Sequence, residues 1–321
     1  MKQKNSFPDA ISRRKFMAQA AAFSAAVFLP FPAFAGDSKK LLLPSAVKGI
    51  NLGAITYSFR SMPGSADDLL GYLVKLGLNS AELMGDPAEV FAGAPAAPAW
   101  SPGPSTPEKQ AERKKYMEEV RKWRLSASMD RFKMLRKKFN AEGVAIDVIK
   151  FPMDRMEDAE IDYCFQVAKT VGAKGITLER SDEAASKLGP FADKYKRMVG
   201  YHNHAKVNFN SWDKLLGDAK FNAMNLDVGH YVAGTNQSPI DLIKKYPDRI
   251  LNLHLKDRKF DEGPNMPWGQ GDTPLKEILQ LLKQEKYRFL AAIELEYPIP
   301  EGSDAVVEVG KCIDFCREAL G

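Results

Sequence analysis

The chain has 321 residues, 45% of them hydrophobic and 27% charged, with 46 Lys and Arg against 41 Asp and Glu for a formal net charge of +5. Lys2, Lys4, Arg13, Arg14 and Lys15 against Asp9 carry +4 of that +5. The rest is close to neutral, so no global charge points to nucleic acid or to an anionic membrane surface, and no nucleic-acid partner is expected. What remains is long enough for one large domain with a substantial core.

The first element in chain order is a leader, ISRRKFMAQAAAFSAAVFLPFPAFAGD. It joins an Arg13-Arg14 pair to an apolar run and then to Ala33-Phe34-Ala35, a small-x-small cleavage site. This predicts a twin-arginine signal over residues 1–35, recognition by the twin-arginine export machinery, and a periplasmic or otherwise exported domain over 36–321. Pro30 and Pro32 interrupt the run, which is shorter than the roughly 20 apolar residues a membrane span needs. No stable membrane anchor is therefore expected.

Eight short apolar runs follow, each leading into a helical pattern: INLGAITY, NSAELMG, VAIDVIKF, KGITLER, MVGYHNH, MNLDVGH, ILNLHLK and LAAIELE. The spacing from Glu179 to His202, Asp227 and His254 suits one strand, loop, helix and loop per step. The pattern predicts a single (β/α)8 barrel, of the α/β class, whose strands are buried on both faces. An open doubly wound sheet would call for a glycine-rich phosphate turn after the first strand, and SFRSMPGSADD supplies none.

One unit is swollen, giving an extended insertion after the second strand, between Met84 and Val144. Its first half, DPAEVFAGAPAAPAWSPGPSTPEK, reads as an irregular loop; its basic second half reads as a helix pair or one broken helix outside the barrel. Glu112, Glu118, Glu119 and Asp130 interleave with the cations there, which fits a solvated helix face better than an RNA-binding surface. Cys164, Cys312 and Cys316 lie in helical patterns and are expected as packed apolar side chains.

All four histidines fall between positions 202 and 254: His202 and His204 in GYHNH, His230 in LDVGH, His254 in LNLHLKD. In such barrels chemistry sits where strands end, and Glu82, Glu179, Asp227, Lys256, Asp257, Glu294 and Glu296 lie at or near the other strand ends. Buried carboxylates cost several kcal/mol unless paired or bound to a cation, so imidazoles and carboxylates converging there point to a divalent metal. Strand alternation sends His202 inward, Asn203 outward and His204 inward again, nearer the mouth.

The succession of a fifth-strand histidine, LDVGH, HLKD and IELE resembles the xylose isomerase-like barrel superfamily of sugar phosphate isomerases/epimerases, from about Ile50 to the C-terminus. Within it the chain is most similar to exported YHNH-containing epimerase-like proteins. The resemblance implies one divalent ion, Mn or Zn, held by Asp227, His254, Glu294 and a fifth-strand residue, here His202. Sugar epimerases of this kind have a glutamate there that also moves a proton. Its replacement transfers the proton role to Glu179 or His204, and Glu179 is the competing choice for fourth ligand, behind His202.

Glu294, with Glu179 or His204 opposite, forms the candidate acid/base pair; the remaining assignments are His230 and Lys256 as further catalytic groups, and Glu82, Arg258, Trp268 and Tyr57 as substrate contacts. For His230 a helix-capping histidine is the bland alternative; for Trp268 and Tyr57 it is barrel packing. The expected function is a metal-dependent sugar or keto-sugar isomerase/epimerase that removes a proton next to a carbonyl of a small carbohydrate. A lyase or hydrolase acting on 3-keto sugars through the same enediolate, and a non-catalytic sugar-binding protein, are the alternatives. Endonuclease IV-like hydrolysis calls for histidines on the second and third strands, which are absent. The oligomeric state is left open by the sequence.

Overall fold

The computed structural model describes residue 47, residues 49–98 and residues 105–321. The expected signal at 1–35, with its arginine pair and cleavage site, lies outside the described residues. Among those described, no helix is long and apolar enough to cross a membrane.

Eight parallel strands close into a barrel: β1 (Leu52–Ile55), β2 (Ser80–Met84), β3 (Ala145–Lys150), β4 (Gly175–Glu179), β5 (Met198–His202), β6 (Asn222–Asp227), β7 (Ile250–Leu255) and, after a small hairpin of β8 (Asp257–Arg258) and β9 (Asn265–Met266), β10 (Leu290–Ile293). Each barrel strand pairs with its chain neighbour, and β10 closes on β1. The eight runs read from the sequence are these eight strands. Being buried on both sides, they needed no polar alternation to reach the helices outside and the axis inside.

The lower barrel interior is apolar, with Val148, Ala223, Leu251, Leu290 and Ala292 packed together. Two glycines make room for Leu251: a Cβ on Gly175 would stand 2.5 Å from its Cδ2, and one on Gly200 would stand 3.0 Å away. Further along the strands the interior turns polar, through Glu82, Thr177, Asn225, Asn252 and His254, all 0% exposed. The chain thus builds a closed floor and a polar upper half.

The insertion departs in part from expectation. Gly85–Ala92 is a helix, not an irregular loop. Pro87 falls in its first turn, where a missing N–H costs nothing, and Gly93 ends it at φ 103°. The second half is a helix pair, Pro107–Ser126 and Met129–Ala141, split where the Ser128 side chain accepts from Asp130 N. Arg124 anchors the first of the pair, donating to Glu89 at 2.8 and 2.9 Å and to Glu160 at 3.1 Å. All three are buried. The cysteines are free and buried, as expected of packed side chains.

Candidate metal centre and acid-base site

His202 and Asp227 are the last residues of β5 and β6, His254 is the penultimate residue of β7, and Glu294 directly follows β10. The in-register ladder places Asp227 beside His254 and His202 beside Asn225. Asn203 turns to the neighbouring strand end, where its amide accepts from Asp227 N at 2.9 Å and donates to Asp227 O at 3.2 Å. That cross-link fixes the two strand ends and leaves His202 facing the axis.

One ligand atom from each of His202, Asp227, His254 and Glu294 falls within 4.8 Å of all the others, and all four residues are buried. His254 Nδ1 stands 3.0 Å from Glu294 Oε2 and 4.0 Å from Asp227 Oδ2. Those spacings bracket the roughly 3.3–3.7 Å between ligand atoms held about 2.0–2.3 Å from one tetrahedral ion. Within this cluster two buried atoms make no hydrogen bond, His202 Nδ1 and Asp227 Oδ2. Asp227 Oδ2 does lie 3.0 Å from Lys256 Nζ; that contact is an ion pair whose angle falls short of a hydrogen bond. Asp227 Oδ1 is committed to capping the next helix, Val228–Thr235, through His230 N at 2.7 Å. Two of the four groups thus keep an unsatisfied atom while His254 and Glu294 bond to each other, and the set of two imidazoles and two carboxylates fits a divalent ion.

Burial and mutual charge set the protonation of the cluster, and ion binding would displace the protons that remain on it. Burial and the facing Glu294 push the Asp227 carboxyl up to about 6 against the pull of Lys256. Burial and the charge of His254 hold His202 well below its ordinary value, hence neutral as a ligand must be. Burial opposes charge on His254 too, but Glu294 and Glu82 outweigh it and raise the ring to about 10. The cation nearest the carboxylates is the Lys256 ammonium, 3.0 Å from Asp227, 2.9 Å from Glu294 and also bonded to Glu296. Gly229 allows this approach, since a Cβ there would meet Lys256 Cγ at 2.8 Å.

Above this cluster His204 stands exposed, its ring centroid 5.2 Å from that of His202 and 4.9 Å from that of His230. Its Nε2 lies 2.9 Å from Glu179 Oε2, and Glu179 Oε1 accepts from Lys150 at 2.8 Å. Despite partial burial, the bonds from His204 and Lys150 and the nearby His202 hold the Glu179 carboxyl far below the usual range. The hydrogen bond to Glu179 raises His204. Glu179 is thus separate from the four-residue cluster.

Three substrate assignments need correction. Glu82 is 0% exposed and lies beneath the cluster, bonded to His254, Thr177 and Asn252, so it is sealed from any substrate. Arg258 spends its guanidinium on the carbonyls of Glu262 and Gly263 and on His230 Nδ1. Trp268 packs edge-on against Phe315, centroids 5.8 Å apart, in contact with the main core. Tyr57 is an exposed ring just past β1 with Arg60 over its face at 4.6 Å. Asp257 accepts from Gly269, Gly271 and Thr273 backbone N–H groups, which ties down the loop after β9.

Two participants escape sequence reading. Lys150 ends β3 in an ordinary-looking VIKF run, and its strand-end position was the available signal. Asn203 was read as facing away, although its position between two histidines marks a constrained strand end.

Fold and site together define a parallel (β/α)8 barrel with an imidazole–carboxylate cluster at the C-terminal ends of its strands. Residues 70–316 match the xylose isomerase-like TIM barrel family, and the chain belongs to that family. It is similar to the inosose dehydratase of Clostridium beijerinckii, 28% identical over 138 residues, which are 41% of this chain and 38% of that protein. The inosose dehydratase of Clostridium botulinum strain Eklund 17B is 32% identical over 114 residues, 34% of this chain and 32% of the relative. Among solved structures, a sugar phosphate isomerase/epimerase from Parabacteroides distasonis aligns over 85% of this chain and 95% of its own, at 17% identity and TM-score 0.56. A xylose isomerase domain protein from Alicyclobacillus acidocaldarius aligns over 84% and 99%, at 12% identity and TM-score 0.59. At those identities the solved structures support the fold alone.

Proposed function

We propose that the protein is a divalent-metal-dependent sugar or keto-sugar isomerase/epimerase, whose first step removes a proton from the carbon next to a carbonyl. The observation that carries this reading is the juxtaposition of the four-residue cluster with the His204–Glu179 pair at its mouth. His202, Asp227, His254 and Glu294 would hold the ion, of the Mn or Zn kind. Bound there, it would act as a Lewis acid on a carbonyl and spread the negative charge that follows proton loss.

The chain's own residues supply the rest. His204 donates its Nε2–H to Glu179, which Lys150 holds in turn, and this leaves Nδ1 as the basic nitrogen that takes the proton. A guanidinium only donates, so the 2.6 Å contact from Arg258 makes His230 Nδ1 an acceptor and leaves the ring proton on Nε2. Burial, with Lys256 and Arg258 nearby, holds His230 down to about 3, so it stays neutral. Its Nε2 and Lys256 Nζ are then two donors 3.1 Å apart, and a substrate oxygen in front of the pair would accept from both. Arg258 becomes a positioning residue for His230. The twin-arginine pattern supports export of the domain to the periplasm.

Loss of a β-hydroxyl after the same proton removal is the second reading, favoured by the similarity to inosose dehydratases. Incubating the metal-loaded protein in deuterated water with ketoses, 3-keto sugars and inososes distinguishes the fates. Deuterium at the carbon next to the carbonyl with retained mass otherwise means epimerisation or isomerisation; loss of water means dehydration. Binding without exchange or turnover across the panel, with the ion present, contradicts an enzymatic role.

A further inference from the structure

We infer that Glu82 is a positioning residue that keeps the proton of His254 on Nε2, so that Nδ1 is the atom offered to the ion. This rests on the metal-centre reading above and deepens it.

The two faces of the His254 ring meet different surroundings. Nδ1 faces Glu294 at 3.0 Å and Asp227 at 4.0 Å, the side on which the four donors converge. Nε2 faces away from them and meets Glu82 Oε2 at 2.6 Å. Among the described residues the other polar atom at Nε2 is the Asn225 amide nitrogen at 3.3 Å, itself a donor, so a proton on Nε2 goes to the carboxylate. A carboxylate accepts and never donates while ionised, and one hydrogen bond behind a metal-bound imidazole fixes both tautomer and ring orientation.

Glu82 is itself held rigidly. Thr177 donates to its Oε1 and Asn252 to its Oε2, and the carboxylate is 0% exposed. It sits on β2, while Thr177 is on β4, and Asn252 and His254 are on β7. Three strands spread around the barrel therefore aim one carboxylate at one ring nitrogen. No substrate reaches it, so its effect on chemistry passes through His254.

The test is titration of chelator-stripped protein with Zn2+ and with Mn2+, comparing wild type with Glu82→Gln, alongside 15N NMR of the histidine side chains. The expected result is a folded Glu82→Gln protein that binds the ion about 10- to 100-fold more weakly. In the Zn-loaded proteins the His254 resonances should change from the Nε2–H pattern of the wild type. Equal affinity in the two proteins, with unchanged 15N shifts, overturns the inference. If the wild type binds no ion, the metal-centre reading fails and this inference fails with it, whereas equal affinity of two ion-binding proteins overturns this inference alone. Should Glu82→Gln not fold, Glu82→Asp keeps the charge but withdraws it by one methylene. It is expected to show the same two changes, and wild-type behaviour there also overturns the proposal.

Discussion

Nε2 of His204 stands 2.9 Å from Oε2 of Glu179, an imidazole–carboxylate pair just above a cluster of four potential metal ligands. Lys150 grips the other Glu179 oxygen at 2.8 Å. A carboxylate held between two such donors is a poor base and a good orienter, whereas the imidazole it raises is a stronger base than a free one. On the proposed reading, the proton role left vacant by a histidine at position 202 falls to His204, with Glu179 behind it.

This division has a pH signature. His204 works as a base only when neutral, and Glu179 raises its pKa, so activity should fall as pH drops through a value above that of free imidazole. In Glu179→Gln the pKa falls back, and the acidic limb of kcat/KM should move to lower pH, while turnover at neutral pH declines about 10- to 1000-fold. A limb that stays in place in a metal-replete Glu179→Gln protein rules out this coupling.

GYHNH should divide its labour. His202→Ala removes a buried donor of the cluster and should weaken metal binding at least tenfold in a chelator competition assay. His204→Ala changes an exposed ring and should leave metal content intact while turnover drops by about two or more orders of magnitude. Equal loss of metal from both variants would make the whole stretch a chelating segment.

The insertion is fixed by charge burial. Arg124→Ala leaves Glu89 and Glu160 without their shared buried partner and should destabilise the chain by about 3–5 kcal/mol in urea unfolding. Arg121 also approaches Glu160, at 3.6 Å, but its side chain is 52% exposed, so Arg121→Ala should cost under about 1 kcal/mol. Similar losses in both would show that Arg124 is not the anchor.

Much of this architecture was legible because strands buried on both faces are apolar until their last residues. His202, Asp227, His254 and Glu294 stood out as the first acidic or imidazole side chains in such runs. Depth was harder to read. Glu82 and Glu179 looked alike as strand-end carboxylates, yet Glu82 is third of five residues in β2 and lies under the cluster, while Glu179 is last in β4 and exposed. Arg258 was misread because its partners at Glu262 and Gly263 arrive only through the turn between β8 and β9. The helix Gly85–Ala92 was hidden by Pro87 and by the Pro/Ala/Gly-rich composition that follows it.

The central claim is that four strand ends hold one divalent ion, and anomalous diffraction from crystals of the Zn- or Mn-loaded protein tests it most directly. The account predicts a single peak within about 2.0–2.3 Å of a ligand atom from each of His202, Asp227, His254 and Glu294, with His254 bound through Nδ1 and Lys256 moved off the carboxylates. A peak completed by Glu179 with His202 turned away would contradict the ligand assignment. Crystals that take up no ion between these strand ends would contradict the account as a whole.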